Sequence, residues 1–544
     1  MSSAAAAASA HVDSFALDCL PPPALMPELL FERPELQFPP RLNCATDLLD
    51  RHIAAGHGAR LCVQGAGVRW SYAEFQTQAN RLANVLVQQM GLVPGNRVLL
   101  RGLNSPLLAA CWFAVVKAGG IAVGSMPLLR AREIATIVQK ARISHALCDA
   151  RLSEELTLAL PQCPTLQHLA HYGGEAHELE TRAAAMPDSF TNVDTAADDI
   201  CLMAFTSGTT GVPKGTMHSH RDVMAACACW PPHVLRPTAD DIFIGSPPLA
   251  FTFGLGGLLL FPLAVGASTV LVEKATPDTL PAAVAAYGAT VCFTAPTSYR
   301  AIAMAVLEGR CTDPLRSLRK CVSAGEALPA PTRALWQQAT GLTLIDGIGS
   351  TELLHIFISA DEAMARPGAT GVPVPGYRAT ILDEQGRELP PGQVGRLAVK
   401  GPTGCKYLDD PRQASYVQGG WNLTGDAYLV DTDGQFVYQA RTDDMIVSGG
   451  YNIAGPEVEA ALLLHPAVAE CGVVGVPDEA RGMVVKAFVV LKPGFEAGDS
   501  LARELQDFVK QTIAPYKYPR QLAFRAALPR TETGKLQRFR LKTE

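Results

Sequence analysis

Charge of one sign is in short supply in this chain of 544 residues. Its 46 Lys and Arg face 52 Asp and Glu, a net charge of −6. That balance gives no reason to expect nucleic acid or an anionic membrane surface as a partner. Cysteine is present fourteen times, but no C-x-x-C pair and no framework spacing occurs. A disulfide scaffold is therefore excluded, and reduced thiols packed as small apolar residues in a cytoplasmic enzyme are expected. The first residues, MSSAAAAASAHVDSF, lack the basic start and apolar run of a secretory signal. Residues 1–20 read as a disordered tail. No internal repeat of fixed period is found.

An unbroken hydrophobic span is also lacking. Ile242 to Val272 carries no charged residue, and a spanning helix needs about 20 apolar residues. Pro247, Pro248, Gly254, Gly256, Gly257, Pro262 and Gly266 interrupt it, and a β-branched run, Ser268–Val272, follows. A buried helix followed by a buried parallel strand fits that pattern, and no membrane association is expected.

Hydrophobic residues make up 48% and charged residues 18%, the profile of packed globular structure. This length predicts at least two domains. Short β-rich runs (97–101, 121–123, 268–272, 290–293, 319–323) alternate with helix-patterned segments such as Tyr72–Met90, capped by Ser71, and Arg130–Ala141. Alternation of this kind predicts helix-covered parallel sheets. Near residue 371 the texture turns to antiparallel strands and turns. Beyond residue 440 a compact α/β pattern restarts, with helices near 456–464 and 501–511 and strands near 468–476 and 484–491. The expected α/β architecture is a large N-terminal domain, residues 21–440, followed by a small mobile α+β domain, residues 441–544. The large domain would hold two helix-covered sheets and a β-rich subdomain at about 371–440.

The most informative segment is Phe205-Thr-Ser-Gly-Thr-Thr-Gly-Val-Pro-Lys-Gly215. Glycines let backbone N–H groups approach an anion, hydroxyls add donors, and Lys214 adds charge, so a phosphate-bearing ligand is the natural guest. It follows an apolar strand-like run, Ile200–Ala204. It does not match the G-x-x-x-x-G-K-[ST] loop.

This segment resembles the signature of the acyl-adenylate-forming enzymes, which include acyl- and aryl-CoA synthetases. Further signatures of that superfamily follow in order: Ser323-Ala-Gly-Glu-Ala-Leu-Pro329, Asp346-Gly-Ile-Gly-Ser-Thr-Glu352, Trp421-Asn-Leu-Thr-Gly-Asp426, Arg441–Ile453 and Pro529-Arg-Thr-Glu-Thr-Gly-Lys535. The resemblance implies ATP, Mg²⁺ and coenzyme A as cofactor and co-substrates. It implies a phosphate cradle of Thr206, Ser207, Gly208, Thr209, Thr210 and Lys214. Thr351 would bond the α-phosphate and Glu352 would hold magnesium, with Lys535 bridging the substrate carboxylate and α-phosphate. Ala324, Gly325 and Glu326 would pack along the adenine, with Asp346, Gly347, Ile348, Gly349 and Ser350 on its other side. Asp426 and Arg441 would take the ribose. Asp443 matches the hinge, and Ser448, Gly449 and Gly450 would border the pantetheine tunnel.

Two features resemble the benzoate-CoA and 2-aminobenzoate-CoA ligase branch. One is Phe251; the other is Ile348 with Gly349 and Leu353-Leu-His-Ile-Phe357. A flat slot walled by Phe251, Ile348 and the backbone of Gly325 and Gly349 would suit a benzene ring. His355 either closes that slot or is a satisfied core histidine. The expected reaction joins a small aromatic carboxylate to coenzyme A through an aryl-adenylate, in a monomer or homodimer. A stand-alone enzyme loading a carrier protein and a non-catalytic nucleotide sensor are the alternatives.

Overall fold

The structure is a computed structural model. It describes residues 7–175, 177–206, 213–311, 315–442, 444–448, 451–478, 481–513, 515–530 and 536–543. Among these residues the strands form four sheets.

The first sheet has six strands, ordered His168–Tyr172, His145–Asp149, Arg97–Arg101, Ile121–Ser125, Ile200–Thr206 and Lys214–Ser219. All neighbours are parallel except the last pair, which forms an antiparallel hairpin. The second sheet has nine strands. Six run parallel, in the order Leu344–Gly349, Lys320–Ser323, Val291–Thr294, Ile242–Gly245, Ser268–Val270 and Leu61–Gly65. Antiparallel strands close both edges: Ile356–Ser359 and Val372–Pro373 at one, Val68–Ser71 at the other. Buried strands such as Arg97–Arg101 and Val291–Thr294 are covered on both faces, the environment that continuous apolar runs require.

Helices link the strands. Residues 72–89 form one continuous helical run. Ser71 caps it: its hydroxyl accepts from the Glu74 N–H at 3.3 Å, and Glu74 accepts the Ser71 N–H at 2.7 Å. The charge-free stretch from Ile242 holds one strand more than expected. It folds as strand Ile242–Gly245, helical turns over Thr252–Ala264, and strand Ser268–Val270 parallel to the first. Among the described residues no helix is long and apolar enough to cross a membrane.

The third sheet is antiparallel throughout. Arg378–Leu382, Gly395–Lys400, Trp421–Val430 and Val417–Gln418 lie in that order, and Phe436–Arg441 pairs with Trp421–Val430. The next strand, Ile446–Ser448, belongs to a different sheet with Tyr451–Ile453, Gly482–Leu491, Val468–Asp478 and Gln521–Phe524. Helices Gly455–Leu462 and Asp499–Thr512 pack on this sheet around Val458, Val473, Leu505 and Val509.

The expectation of disorder over residues 1–20 fails for the part described. Ala16 is fully buried among Leu99, Ile121 and Val123. Asp13 pairs with Arg97 at 2.5 Å, and Ser9 donates to Asp199. The alanine-rich composition hid an arm held by a few polar anchors. None of the fourteen cysteines is in a disulfide, and eleven of them are buried, as small apolar side chains are.

Candidate active site

The parallel strands Lys320–Ser323 and Leu344–Gly349 are neighbours, with Ser323 opposite Asp346. Both open at their carboxyl ends onto the same edge, where open α/β sheets take ligands. Ala324, Gly325 and Glu326 leave the first strand there. Gly325 has φ +92°, a left-handed conformation that favours glycine. Gly347, Ile348 and Gly349 end the second strand and pair with Ile356–Ser359. A side chain at Gly349 would fall 2.7 Å from the His355 carbonyl, so glycine is required for that pairing.

Asp346 is buried and its Oδ1 has no hydrogen-bond partner among the described residues. Burial pushes its carboxyl up to about 7, with the Arg333 charge opposing. Burial raises the Tyr428 phenol, and the charges of both Asp426 and Asp346 raise it further above its ordinary value. Asp426 lies opposite Arg441 across two antiparallel strands, Oδ1 to Nη1 3.1 Å. Arg441 also donates to the Thr424 carbonyl at 3.1 Å, and it lies over Gly425, where a Cβ would come within 2.8 Å of the guanidinium. Burial raises the Asp426 carboxyl against the pull of Arg441.

The phosphate hairpin turns between Thr206 and Lys214, which are cross-strand partners. Ser207, Gly208, Thr209 and Thr210 lie outside the described residues. The Thr206 hydroxyl is buried without a partner among the described residues. Lys214 reaches Glu352, Nζ to Oε1 3.3 Å, and the Tyr407 hydroxyl at 2.7 Å. Tyr407 in turn donates to Glu352 at 2.5 Å. Lys214 also stands 4.8 Å from the Tyr407 ring centroid and 5.9 Å from that of Tyr416. Thr351 is fixed through its carbonyl, which accepts from His218 Nε2 at 2.8 Å. Burial lowers His218 to about 4, so the imidazole is neutral and one nitrogen carries the donated proton. Ser350 accepts the Leu353 N–H at 3.2 Å and faces the Tyr416 hydroxyl at 3.5 Å. Leu354, two residues after Glu352, holds φ +71°, a strained value for a branched residue in the loop that aims Glu352.

The structure therefore joins Lys214 to Glu352, Thr351 to the hairpin, and Asp426 to Arg441. Sequence reasoning missed His218, Tyr407 and Tyr416. His218 carried a weak signal, lying four residues after Lys214; the two tyrosines carried none, because only the fold brings them to Glu352.

The residues expected to wall the acid slot fall in two places. Phe251 lines a cavity with Trp112, Gly124, Leu202, Thr252 and Leu259, and neither Ile348 nor His355 belongs to that lining. The ring that meets His355 is Phe253, at 5.7 Å, together with Trp230 at 5.8 Å and Phe261 at 4.4 Å. The chain turns into helix at Thr252, which sends the two phenylalanines to different places. Burial pushes His355 down to about 3, so it is neutral. Its Nε2 lies 3.4 Å from the Phe253 carbonyl, and its buried Nδ1 has no partner among the described residues.

Lys535, Asp443, Gly449 and Gly450 lie outside the described residues. Ser448 is buried, with its hydroxyl unpartnered among the described residues. Glu326 meets Arg530 at 3.4 Å, and Arg530 also meets Glu470 at 2.8 Å.

Three sheets contribute the hairpin ending at Lys214, the Glu352 carboxylate beside that lysine, and the Asp426–Arg441 pair, the features of an acyl-adenylate-forming enzyme. The chain belongs to the AMP-binding enzyme family, whose model matches residues 50–407, with the AMP-binding enzyme C-terminal domain matching 457–535. It is 36% identical over 515 residues to the benzoate–CoA ligase of Thauera aromatica, covering 94% of this chain and 97% of the relative. It is 33% identical to the mitochondrial acyl-coenzyme A synthetase ACSM3 of Rattus norvegicus, covering 93% and 91%. Its structure is similar to anthranilate CoA ligase AuaEII in complex with anthranoyl-AMP, with a TM-score of 0.90, 34% identity and coverage of 94% and 98%. A benzoate CoA ligase from Burkholderia xenovorans LB400 matches with a TM-score of 0.84, 32% identity and coverage of 92% and 100%. The chain is thus an AMP-forming CoA ligase, and such enzymes use ATP, Mg²⁺ and coenzyme A. The residues present fit the metal: one buried carboxylate, Glu352, lies beside the hairpin that would bring phosphate oxygens, and a hard cation needs few protein ligands.

Proposed function

We propose that this ligase activates a benzoate-type acid, 2-aminobenzoate or benzoate, as its adenylate and transfers the aryl group to coenzyme A. The observation that carries the reading is the neutral His355 boxed by Trp230, Phe253 and Phe261, with a buried Nδ1 left to bond a ring substituent or the acid. The likeness to benzoate- and anthranilate-CoA ligases supports it.

In this reading Lys214 exchanges Glu352 for the triphosphate, and Thr206 with Ser207, Thr209 and Thr210 donates to the phosphate oxygens. Asp426 takes the ribose hydroxyls, with Arg441 keeping its carboxylate ionised. Glu352 would hold Mg²⁺, which offsets charge on the phosphates when bound. A carboxylate oxygen of the acid attacks the α-phosphorus, and the bond to pyrophosphate breaks. Lys535 lies against the spreading negative charge and Thr351 against the α-phosphate. The small domain, residues 441–544, then turns about Asp443, and Lys535 leaves. The pantetheine thiol enters past Ser448, Gly449 and Gly450, loses its proton, and attacks the acyl carbon, which expels AMP.

The test is AMP release with ATP, Mg²⁺ and coenzyme A on benzoate, 2-aminobenzoate, 4-hydroxybenzoate, cinnamate and a medium-chain fatty acid. Turnover on a benzoate, reduced by about a thousandfold in Lys535→Ala, is the expected result. Turnover on the fatty acid alone overturns the aryl reading. Pyrophosphate without a CoA thioester overturns the acceptor and points to a carrier protein.

A further inference from the structure

The strand that leads into the phosphate hairpin carries a second chemical cluster at its other end. Cys201, five residues before Thr206, meets Cys44 and His220. One ligand atom from each of the three lies within 4.8 Å of the other two, and all three residues are buried. None of them belongs to the adenylation site. Cys44 Sγ stands 3.3 Å from His220 Nδ1. Ligands bound to one tetrahedral zinc stand about 3.5 Å apart for a sulfur and a nitrogen. The same Nδ1 accepts the Cys44 N–H at 3.2 Å, so it is the unprotonated ring nitrogen, and a bound metal would take the place of that hydrogen bond.

We propose that Cys44, Cys201 and His220 bind one zinc ion. Charge selects the ion. Two thiolates and one divalent cation sum to zero, the arrangement that costs least in a buried place, whereas a monovalent soft cation would leave a net negative charge there. Binding forms two Zn–S bonds and releases two thiol protons to water. The ion would tie together the segment at Cys44, the root of strand Ile200–Thr206 and the start of helix His220–Trp230, and so anchor the hairpin from behind.

Full-length protein is expressed with added zinc, purified under reducing, chelator-free conditions, and its metal content measured by mass spectrometry. In parallel it is unfolded and refolded with Co²⁺ or with Cu⁺, and the Co²⁺ arm is read by thiolate-to-cobalt absorption. About one zinc per chain and a cobalt–thiolate band are expected. Both should be lost in a Cys44→Ala, Cys201→Ala double variant and kept in Cys111→Ala, whose thiol is buried elsewhere. Absence of zinc and of the band in the parent protein overturns the site, whether or not the double variant folds. Zinc retained by a folded double variant overturns the ligand assignment, and retention of Cu⁺ alone overturns the choice of zinc.

Discussion

At the scale of single residues, two side chains lend themselves to measurement. Burial holds the Asp346 carboxyl at about 7, above the ordinary carboxylate range, so the folded state keeps this proton more tightly than the unfolded chain does. Its contribution to stability is therefore full below about pH 4 and is lost as the pH rises to about 7. Asp346→Asn is expected to flatten the pH dependence of urea unfolding in that window and to raise stability at pH 8 by about 1–3 kcal/mol. Equal slopes in parent and variant would show that the carboxyl ionises at no cost. At Gly256 an added Cβ would fall 2.4 Å from the His355 ring and 3.2 Å from Phe261. The ring has no slack, so Gly256→Ala is expected to raise KM for the aryl acid about tenfold and leave KM for ATP within about twofold. An unchanged aryl KM would remove His355 from the acid pocket. His355 was legible in the sequence as a candidate, but its neighbour was not. Phe251 and Phe253 are two residues apart, and only the point at which the helix starts decides which one faces the histidine.

At the scale of elements, the hairpin of Ile200–Thr206 and Lys214–Ser219 does its work through a residue far along the chain. Tyr407 bonds Lys214 and Glu352 together. Tyr407→Phe leaves Glu352 with Lys214 alone and removes a hydrogen bond to a charged group, a loss of about 1.5–3 kcal/mol. A KM for ATP raised about tenfold in ATP–pyrophosphate exchange is the expected result; an unaltered KM would make the phenol a packing group. The elements themselves were largely readable, because helices with a capping box and apolar strands bounded by turns carry local signals. The strand Ile242–Gly245 was not, since an apolar run has no periodicity to separate strand from helix.

At the scale of the whole molecule, the order of six motifs made the family legible, and the family implied the fold. Contacts between the two parts of the chain were not legible, because they join residues about 200 positions apart. Arg530, five residues before Lys535, meets Glu326 at the end of strand Lys320–Ser323. If this pair docks the small domain for the first half-reaction, Arg530→Ala should slow adenylate formation at least tenfold and spare thioester formation from added aryl-adenylate. Rapid-quench assays of the two half-reactions check this, and an equal loss in both would make Arg530 a general support of the fold.

The N-terminal arm has a bearing on how this enzyme can be handled. Asp13 and Ser9 anchor it at Arg97 and Asp199, where parallel strands begin, whereas the phosphate hairpin turns where one of those strands ends. The two ends of this seven-residue strand lie roughly 20 Å apart. A fluorophore, affinity handle or immobilising surface attached through the arm would sit at the far end of the strand from the hairpin, and a catalyst tethered this way would keep the hairpin's end clear of the attachment.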